Sequence, residues 1–168
     1  MQRYVALLRA ISNVAMQPFR QAMEELGFTD VASYGMSGNL LFNADGSDIA
    51  SLERSITVRL GAQTIVRTRT ELVTVVRQDP FRDRPGASVL FLARAPTATR
   101  RQAFLELDFE EPRPVLRGRT LFFLYPSRLR GKRAPVDFER ALAVKGTARS
   151  ARVVRQLLAL MTKEEKKG

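Results

Sequence analysis

The order of the apolar segments constrains the fold of this chain more than any other feature of its sequence. Four segments in the first 68 residues are short and β-like: residues 4–9, 31–34, 39–43 and 64–67. Between them, apolar residues recur with helical spacing in a segment from Pro18 to Gly27. They do so again in a segment that Ser47 or Asp48 caps and Gly61 ends. This β-α-β-β-α-β order is that of a ferredoxin-like split βαβ unit.

A second series of segments follows a helix that Thr68 and Glu71 are expected to start as a capping box. Helices are then expected to begin near Thr97 and Pro135. The strands of this series are expected at residues 88–92, 115–116 and 121–125. Thr147 is expected to cap a last helix in the place of a closing strand. The second half therefore follows the order of the first but is predicted to be incomplete.

We predict an α+β protein of two ferredoxin-like halves, the second incomplete, packed as one compact unit. The first half covers residues 1–78, the basic second half covers residues 79–162, and residues 163–168 form a frayed tail. The chain has 168 residues, of which 45% are hydrophobic, which is enough to build a core. Wholesale disorder is thereby excluded.

No segment predicts a membrane anchor. The first apolar run, residues 4–8, is interrupted by Arg9 and is too short for a signal sequence or a membrane span. No other window reaches 18 apolar residues. We expect a cytoplasmic protein with no membrane partner.

The sequence contains neither histidine nor cysteine. This excludes disulfides, thiol nucleophiles, an imidazole base and the common zinc sites. No pair of Asp, Glu, Lys or Tyr residues stands out by its spacing, and the acidic cluster at residues 106–111 is interpreted as a solvated helix end. We therefore predict no catalytic residue, no metal site and no cofactor, while an enzymatic activity stays open.

Positive charge is concentrated in the second half of the chain. The net charge is +11, and residues 113–155 hold 12 basic residues against 2 acidic ones. Such a concentration attracts phosphates or acidic partners, although a solvated basic surface is an equally good interpretation. The residues predicted to bind nucleic acid or another polyanion are Arg128, Arg130, Lys132 and Arg133 in the densest basic segment, with Arg152 and Arg155 in the last helix. There, Arg149, Arg152 and Arg155 are expected to form one stripe.

Four segments resemble one protein family. Residues 7–14, Leu-Leu-Arg-Ala-Ile-Ser-Asn-Val, resemble its Leu-Arg-Gly-Ile-Asn-Val opening, and residues 34–42 resemble its Tyr-Ile-Gln-Ser-Gly-Asn-Val-Val-Phe block. Residues 79–81 resemble its Asn-Pro-Phe, and residues 147–149 its Thr-Thr-Arg. On these blocks the chain is identified as a member of the bacterial domain-of-unknown-function 1697 (DUF1697) family. The resemblance implies two ferredoxin-like halves and no established activity.

The resemblance also implies a polar ligand site. The positions that match the family's blocks are Arg9, Asn13, Ser37, Gly38, Asn39 and Arg149. Ser37 and Asn39 offer polar donors to a small anionic ligand, while a plain hairpin turn uses the same residue types. The chain departs from the family at Ser150, Ala151 and Arg152, where the family has Asn-Trp-Asn, and it is open whether this abolishes the site.

Three functions are therefore compared. The leading hypothesis is a non-enzymatic protein whose basic half binds phosphate-bearing ligands such as nucleic acid. The first alternative is a small-molecule-binding protein or enzyme with a polar site around Arg9, Asn39 and Arg149. The second is a protein-interaction module, for which an exposed apolar patch is the expected sign. The sequence leaves the oligomeric state open.

Overall fold

The computed structural model describes residues 1–46 and 48–165. Its strands are β1 (Gln2–Leu8), β2 (Thr29–Ser33), β3 (Asn39–Ala44), β4 (Thr64–Thr68), β5 (Ala87–Leu92), β6 (Val115–Arg117), β7 (Thr120–Leu124) and β8 (Gly146–Ser150). Its helices are α1 (Gln17–Glu25), α2 (Ile49–Leu60), α3 (Arg69–Gln78), α4 (Ala98–Leu105), α5 (Phe138–Leu142) and α6 (Ala151–Glu165). The chain divides into two compact units: Met1–Thr74 together with the chain from Arg155 onward, and Val75–Val154.

The first unit contains a four-stranded antiparallel sheet in the order β2-β3-β1-β4. The central strand β1 pairs with β3 and with β4, so that Val5 lies opposite Leu41 on one side and Arg67 on the other. Tyr4, Ala6 and Leu8 alternate along β1 into one hydrophobic core, and the intervening residues are also buried. The strand is therefore apolar on both faces, as its unbroken hydrophobic sequence predicts.

The second unit contains a sheet of the same order, β6-β7-β5-β8. Val89 of the central strand lies opposite Phe122 of β7 and Arg149 of β8. Two ferredoxin-like α+β halves are thus confirmed, but the expectation that the second is incomplete is wrong. Residues 146–150 do not start a helix; they form the closing strand.

Thr147 lies within β8 and does not cap a helix. Instead, the Oγ of Ser150 accepts a hydrogen bond from the backbone N of Val153 at the start of α6, at 3.2 Å. The segment Gly-Thr-Ala-Arg-Ser has little of the alternating apolar pattern that marks a strand, and its pairing with β5 decides its conformation. The stripe expected from Arg149, Arg152 and Arg155 is also wrong, because Arg149 belongs to the strand.

The other helix starts follow local capping chemistry. Asp48 caps α2, its Oδ2 accepting from Ser51 N at 3.1 Å, while Ser47 lies outside the described residues. The predicted capping box is confirmed, since Thr68 N donates to Glu71 Oε2 at 2.8 Å and Glu71 N donates to Thr68 Oγ1 at 3.1 Å. Thr97 caps α4 as expected.

Two helix boundaries differ from the predictions. Helix α5 begins at Phe138 with Asp137 as its cap, and not at Pro135, because the Asp137 carboxylate accepts the backbone N of Arg140. Helix α6 continues to Glu165 through part of the segment expected to be frayed, and residues 166–168 lie outside the described residues.

Each unit has its own aromatic core. In the first, the rings of Tyr4 and Phe42 stack with their centroids 5.5 Å apart. In the second, Phe138 of the short helix α5 packs against Phe123 of β7, with centroids 4.9 Å apart. Burying one such side chain contributes about 1.5–3 kcal/mol to folding. The core thus fixes α5 against the sheet, and the bond from Gly146 N to Glu139 Oε1 at 2.8 Å ties the helix to the start of β8.

Candidate functional site

Most of the polar positions implied by the family resemblance lie at one end of the first sheet. Leu8 N at the end of β1 donates to Gly38 O at 2.8 Å, and the next residue, Arg9, donates its backbone N to Gln63 O at 2.8 Å. Val14 N donates to Met36 O at 3.4 Å. The loop of residues 9–16 therefore adjoins the β2–β3 turn, and the segments that carry Arg9, Asn13 and residues 37–39 lie together.

Gly38 is required by this close approach. Its φ is +79°, and a Cβ on Gly38 would lie 2.8 Å from the Cβ of Leu8. The neighbouring Asn39 is buried, and its Nδ2 donates to Tyr34 O at 3.1 Å, which closes the turn. Ser37 is exposed. Gly38 and Asn39 thus have structural roles in the hairpin, and ligand binding by these residues stays a prediction.

The loop after β1 has an unusual backbone. Ala10 has a φ of +60° and Asn13 a φ of +53°, although the left-handed region is unfavourable for alanine by about 1 kcal/mol. Within this loop and the adjoining turn, Val14 and Met36 are exposed apolar side chains, with 37% and 51% of their surfaces accessible. Two neighbouring apolar residues are a small patch, so the protein-interaction alternative also stays a prediction.

Arg149 belongs to the second unit. It is buried in β8 with 8% of its surface accessible, and its Nη1 donates to Thr147 Oγ1 at 2.6 Å and to Ala148 O at 2.9 Å. Burial lowers the pKa of the guanidinium to about 10, which leaves it charged at neutral pH. Both of these hydrogen bonds lie within β8, as expected for a buried cation that supports the strand.

The loop of residues 126–134, which holds the four cations predicted to bind nucleic acid and which we call the basic loop, is ordered against an acidic segment. Glu110 N donates to Arg128 O at 2.8 Å, and Arg130 N donates to Asp108 O at 2.9 Å. The side chain of Arg130 also forms an ion pair with Asp108, with 3.0 Å between Nε and Oδ1. Arg128 donates its Nε to Arg133 O at 2.8 Å. Two of the loop's four cations thus contribute to its own structure.

The remaining predicted cations are placed separately. Lys132 and Arg133 are exposed in the loop, and neither has a side-chain partner among the residues that the structure describes. On α6, Arg152 is exposed and belongs to the second unit, whereas Arg155 is half-buried and belongs to the first. The six predicted residues therefore do not form one cluster within one unit.

The comparisons with known proteins give a family. Residues 1–122 match the family described as "Protein of unknown function (DUF1697)". The chain belongs to this family. The matched residues include Arg9 and residues 37–39 but end before the basic loop and Arg149.

A solved structure supports the fold assignment of this DUF1697 protein. "The structure of conserved bacterial protein SP0830 from Streptococcus pneumoniae" is similar to it with a TM-score of 0.69 and 18% sequence identity, over 95% of this chain and 98% of that one. At this identity the similarity establishes the fold alone. No curated protein matches the sequence.

The fold also brings together basic residues that the sequence analysis did not predict to form a site. Leu92 N donates to Arg119 O at 2.9 Å, and Ala93 N donates to Lys145 O at 2.9 Å. These bonds are the counterparts of those made by Leu8 and Arg9 in the first sheet. They place five basic residues at one end of the second sheet: Arg94, Arg117, Arg119, Arg140 and Lys145. We call this set the basic sheet end. The signal that reveals it is the β5–β8 pairing.

Across residues 1–46 and 48–165, no group of three or more carboxylates is arranged to hold a metal ion. None of the helices in that same part of the chain is long and apolar enough to cross a membrane.

Proposed function

We propose that this protein binds phosphate-bearing polyanions, with nucleic acid as the ligand class, through the basic sheet end of its second unit. The observation that carries the proposal is the distribution of charge between the units. Val75–Val154 holds 17 basic and 8 acidic residues, a net charge of +9, and the rest of the chain contributes +2. Phosphates are attracted to such a concentrated positive potential.

The basic sheet end is more suitable than the basic loop as the principal contact. The loop, with four cations, lies against the segment of residues 106–111, which holds four carboxylates. At the sheet end, Asp137 and Glu139 lie beside five cations. A phosphate backbone therefore meets a net positive charge at the sheet end but a nearly neutral one at the loop.

The two acids at the sheet end each accept a hydrogen bond from the backbone. Asp137 Oδ1 accepts Arg140 N at 3.1 Å, and Glu139 Oε1 accepts Gly146 N at 2.8 Å. These bonds hold the start of α5 and the start of β8. The carboxylates are thus kept at fixed positions by the backbone, whereas Arg140 and Lys145 have no side-chain partner in the described part of the chain.

The basic loop supplies a second contact. The turn from Leu129 to Lys132 is closed by a bond from Lys132 N to Leu129 O at 3.1 Å, with Gly131 at a φ of +73°. An ordered loop loses little conformational entropy when it binds. The loop follows the far end of β7, about 17 Å from the sheet end, so a polyanion of several phosphates has the length to reach both.

The experiment is a fluorescence anisotropy titration of a labelled 30-nucleotide single strand at low salt. The double variant Arg94→Gln, Lys145→Gln removes two charges from the sheet end, and we expect its affinity to fall about 10-fold or more. Arg54→Gln, Arg77→Gln is the matched control, because it removes two exposed charges from α2 and α3. Equal losses in both variants, or no binding by the native chain, would falsify the proposal.

A further inference from the structure

A cavity lies within the basic sheet end. It has a volume of about 520 Å³ and is lined by Arg94, Asp137, Glu139, Arg140, Ala143, Val144 and Lys145. This volume is in the range of small-molecule sites in proteins. All three basic residues in its lining are exposed side chains, so their charged groups are accessible to a ligand.

The cations approach the cavity from three different segments. Arg94 follows β5, Arg140 lies in α5, and Lys145 immediately precedes β8. Arg94 Nη2 donates to Ala143 O at 3.4 Å, a long bond that positions the guanidinium at the cavity wall and leaves its other donors available. Ala143 ends α5 with a left-handed φ of +53°, which turns the chain so that Lys145 follows at the cavity.

The carboxylates in the lining distinguish this cavity from a purely basic surface. Asp137 and Glu139 each accept a backbone N–H, as described above. The three cations exceed them by one charge, which suits a compact anion that a guanidinium binds with two parallel hydrogen bonds. A phosphate monoester carries close to two negative charges near neutral pH and three oxygens that accept hydrogen bonds, whereas an internal phosphodiester carries one charge.

We propose that this cavity binds the phosphate group of a phosphate monoester, held by Arg94, Arg140 and Lys145. The inference rests on the proposed function in that both place the ligand's phosphate in the second unit. It adds that the protein prefers a terminal phosphate to an internal phosphodiester. The monoester is either the 5′-phosphate of a nucleic acid or the phosphate of a small metabolite.

The experiment follows the backbone amide signals of the full chain by NMR during titration with inorganic phosphate. We expect saturable shifts at Lys145, Gly146 and Arg94, and at least about 10-fold weaker binding in the variant Arg140→Gln, Lys145→Gln. The control is Arg54→Gln, Arg77→Gln, which removes two exposed charges from α2 and α3 and leaves phosphate binding unchanged. Shifts that do not saturate, or equal weakening in the control, overturn the inference.

Oligonucleotides with a 5′-phosphate or a 5′-hydroxyl then distinguish a nucleic-acid end from a small metabolite as the source of the monoester. Tighter binding of the 5′-phosphate form that is lost in Arg140→Gln, Lys145→Gln identifies a nucleic-acid end. Saturable binding of inorganic phosphate with equal affinities for both oligonucleotides identifies a small monoester. Binding of both oligonucleotides without any binding of inorganic phosphate overturns this inference but leaves the proposed function in place. Binding of inorganic phosphate without binding of either oligonucleotide supports this inference and overturns the proposed function.

Discussion

Arg67 of β4 and Arg149 of β8 occupy equivalent positions in the two halves of the chain. Each lies opposite a valine of its central strand, Val5 and Val89 respectively. Each is buried and donates its Nη1 to the carbonyl of the preceding residue, at 3.1 Å from Arg67 and 2.9 Å from Arg149. The internal repeat therefore extends to a buried cation, a feature that core packing alone does not require.

This equivalence predicts that both arginines support their sheets. Arg67→Ala and Arg149→Ala are each expected to lower the free energy of unfolding by about 2–4 kcal/mol, because each removes buried packing and leaves a carbonyl without its donor. Urea denaturation measures the change. Arg77→Ala on the exposed side of α3 is the control and should change stability by less than about 0.5 kcal/mol. A harmless Arg149→Ala would indicate that Arg149 serves a ligand and not the strand.

Gly38 provides a prediction about the polar turn. Gly38→Ala is expected to destabilise the protein by about 2 kcal/mol or more, because the added Cβ meets Leu8 at 2.8 Å in a left-handed conformation. Gly35→Ala in the same turn is the matched control, since Gly35 also has a positive φ of +65° but nothing within 4 Å of an added Cβ. Thermal unfolding of both variants tests this, and equal losses would contradict the close approach.

Asp48 makes the stability of the first unit depend on pH. The hydrogen bonds from Ser51 lower the pKa of the Asp48 carboxyl below 3.8. The unfolded chain therefore binds the proton more readily, so the stabilisation by Asp48 is fully present above pH 3.8 and is lost as pH falls through the lowered pKa. NMR titration of the Asp48 carboxyl should show a midpoint below 3.8. A midpoint at or above 3.8 would refute the cap.

Local signals in the sequence were enough for much of the fold. Pro18 with the apolar spacing behind it, and the pair Thr68 and Glu71, identified α1 and α3 because a helix start is decided within a few residues. Strands β1 and β3 of the first sheet were found because their residues are buried and mostly apolar on both faces. These features depend on neighbours in the chain.

The other features of the fold and the site depend on pairing between residues that are far apart in the sequence. Residues 146–150 form a strand only through their pairing with β5. The prediction that Arg149 lies on a helix is wrong for that reason. The same pairing sets Lys145 beside Ala93 and so creates the basic sheet end. Charge counts showed that the second half is basic, but they could not show which cations lie together or that Asp108 neutralises Arg130.

The salt dependence of nucleic-acid binding tests polyanion binding by the basic sheet end most directly. For the native chain, the logarithm of the affinity for a 30-nucleotide single strand should fall linearly with the logarithm of the KCl concentration. The slope should become smaller by about 1.4 in Arg94→Gln, Lys145→Gln, because each lost phosphate contact contributes about 0.7. The matched variant Arg54→Gln, Arg77→Gln should retain the native slope. A native slope near zero, or an unchanged slope in the sheet-end variant, would contradict the assignment of polyanion binding to the end of the second sheet.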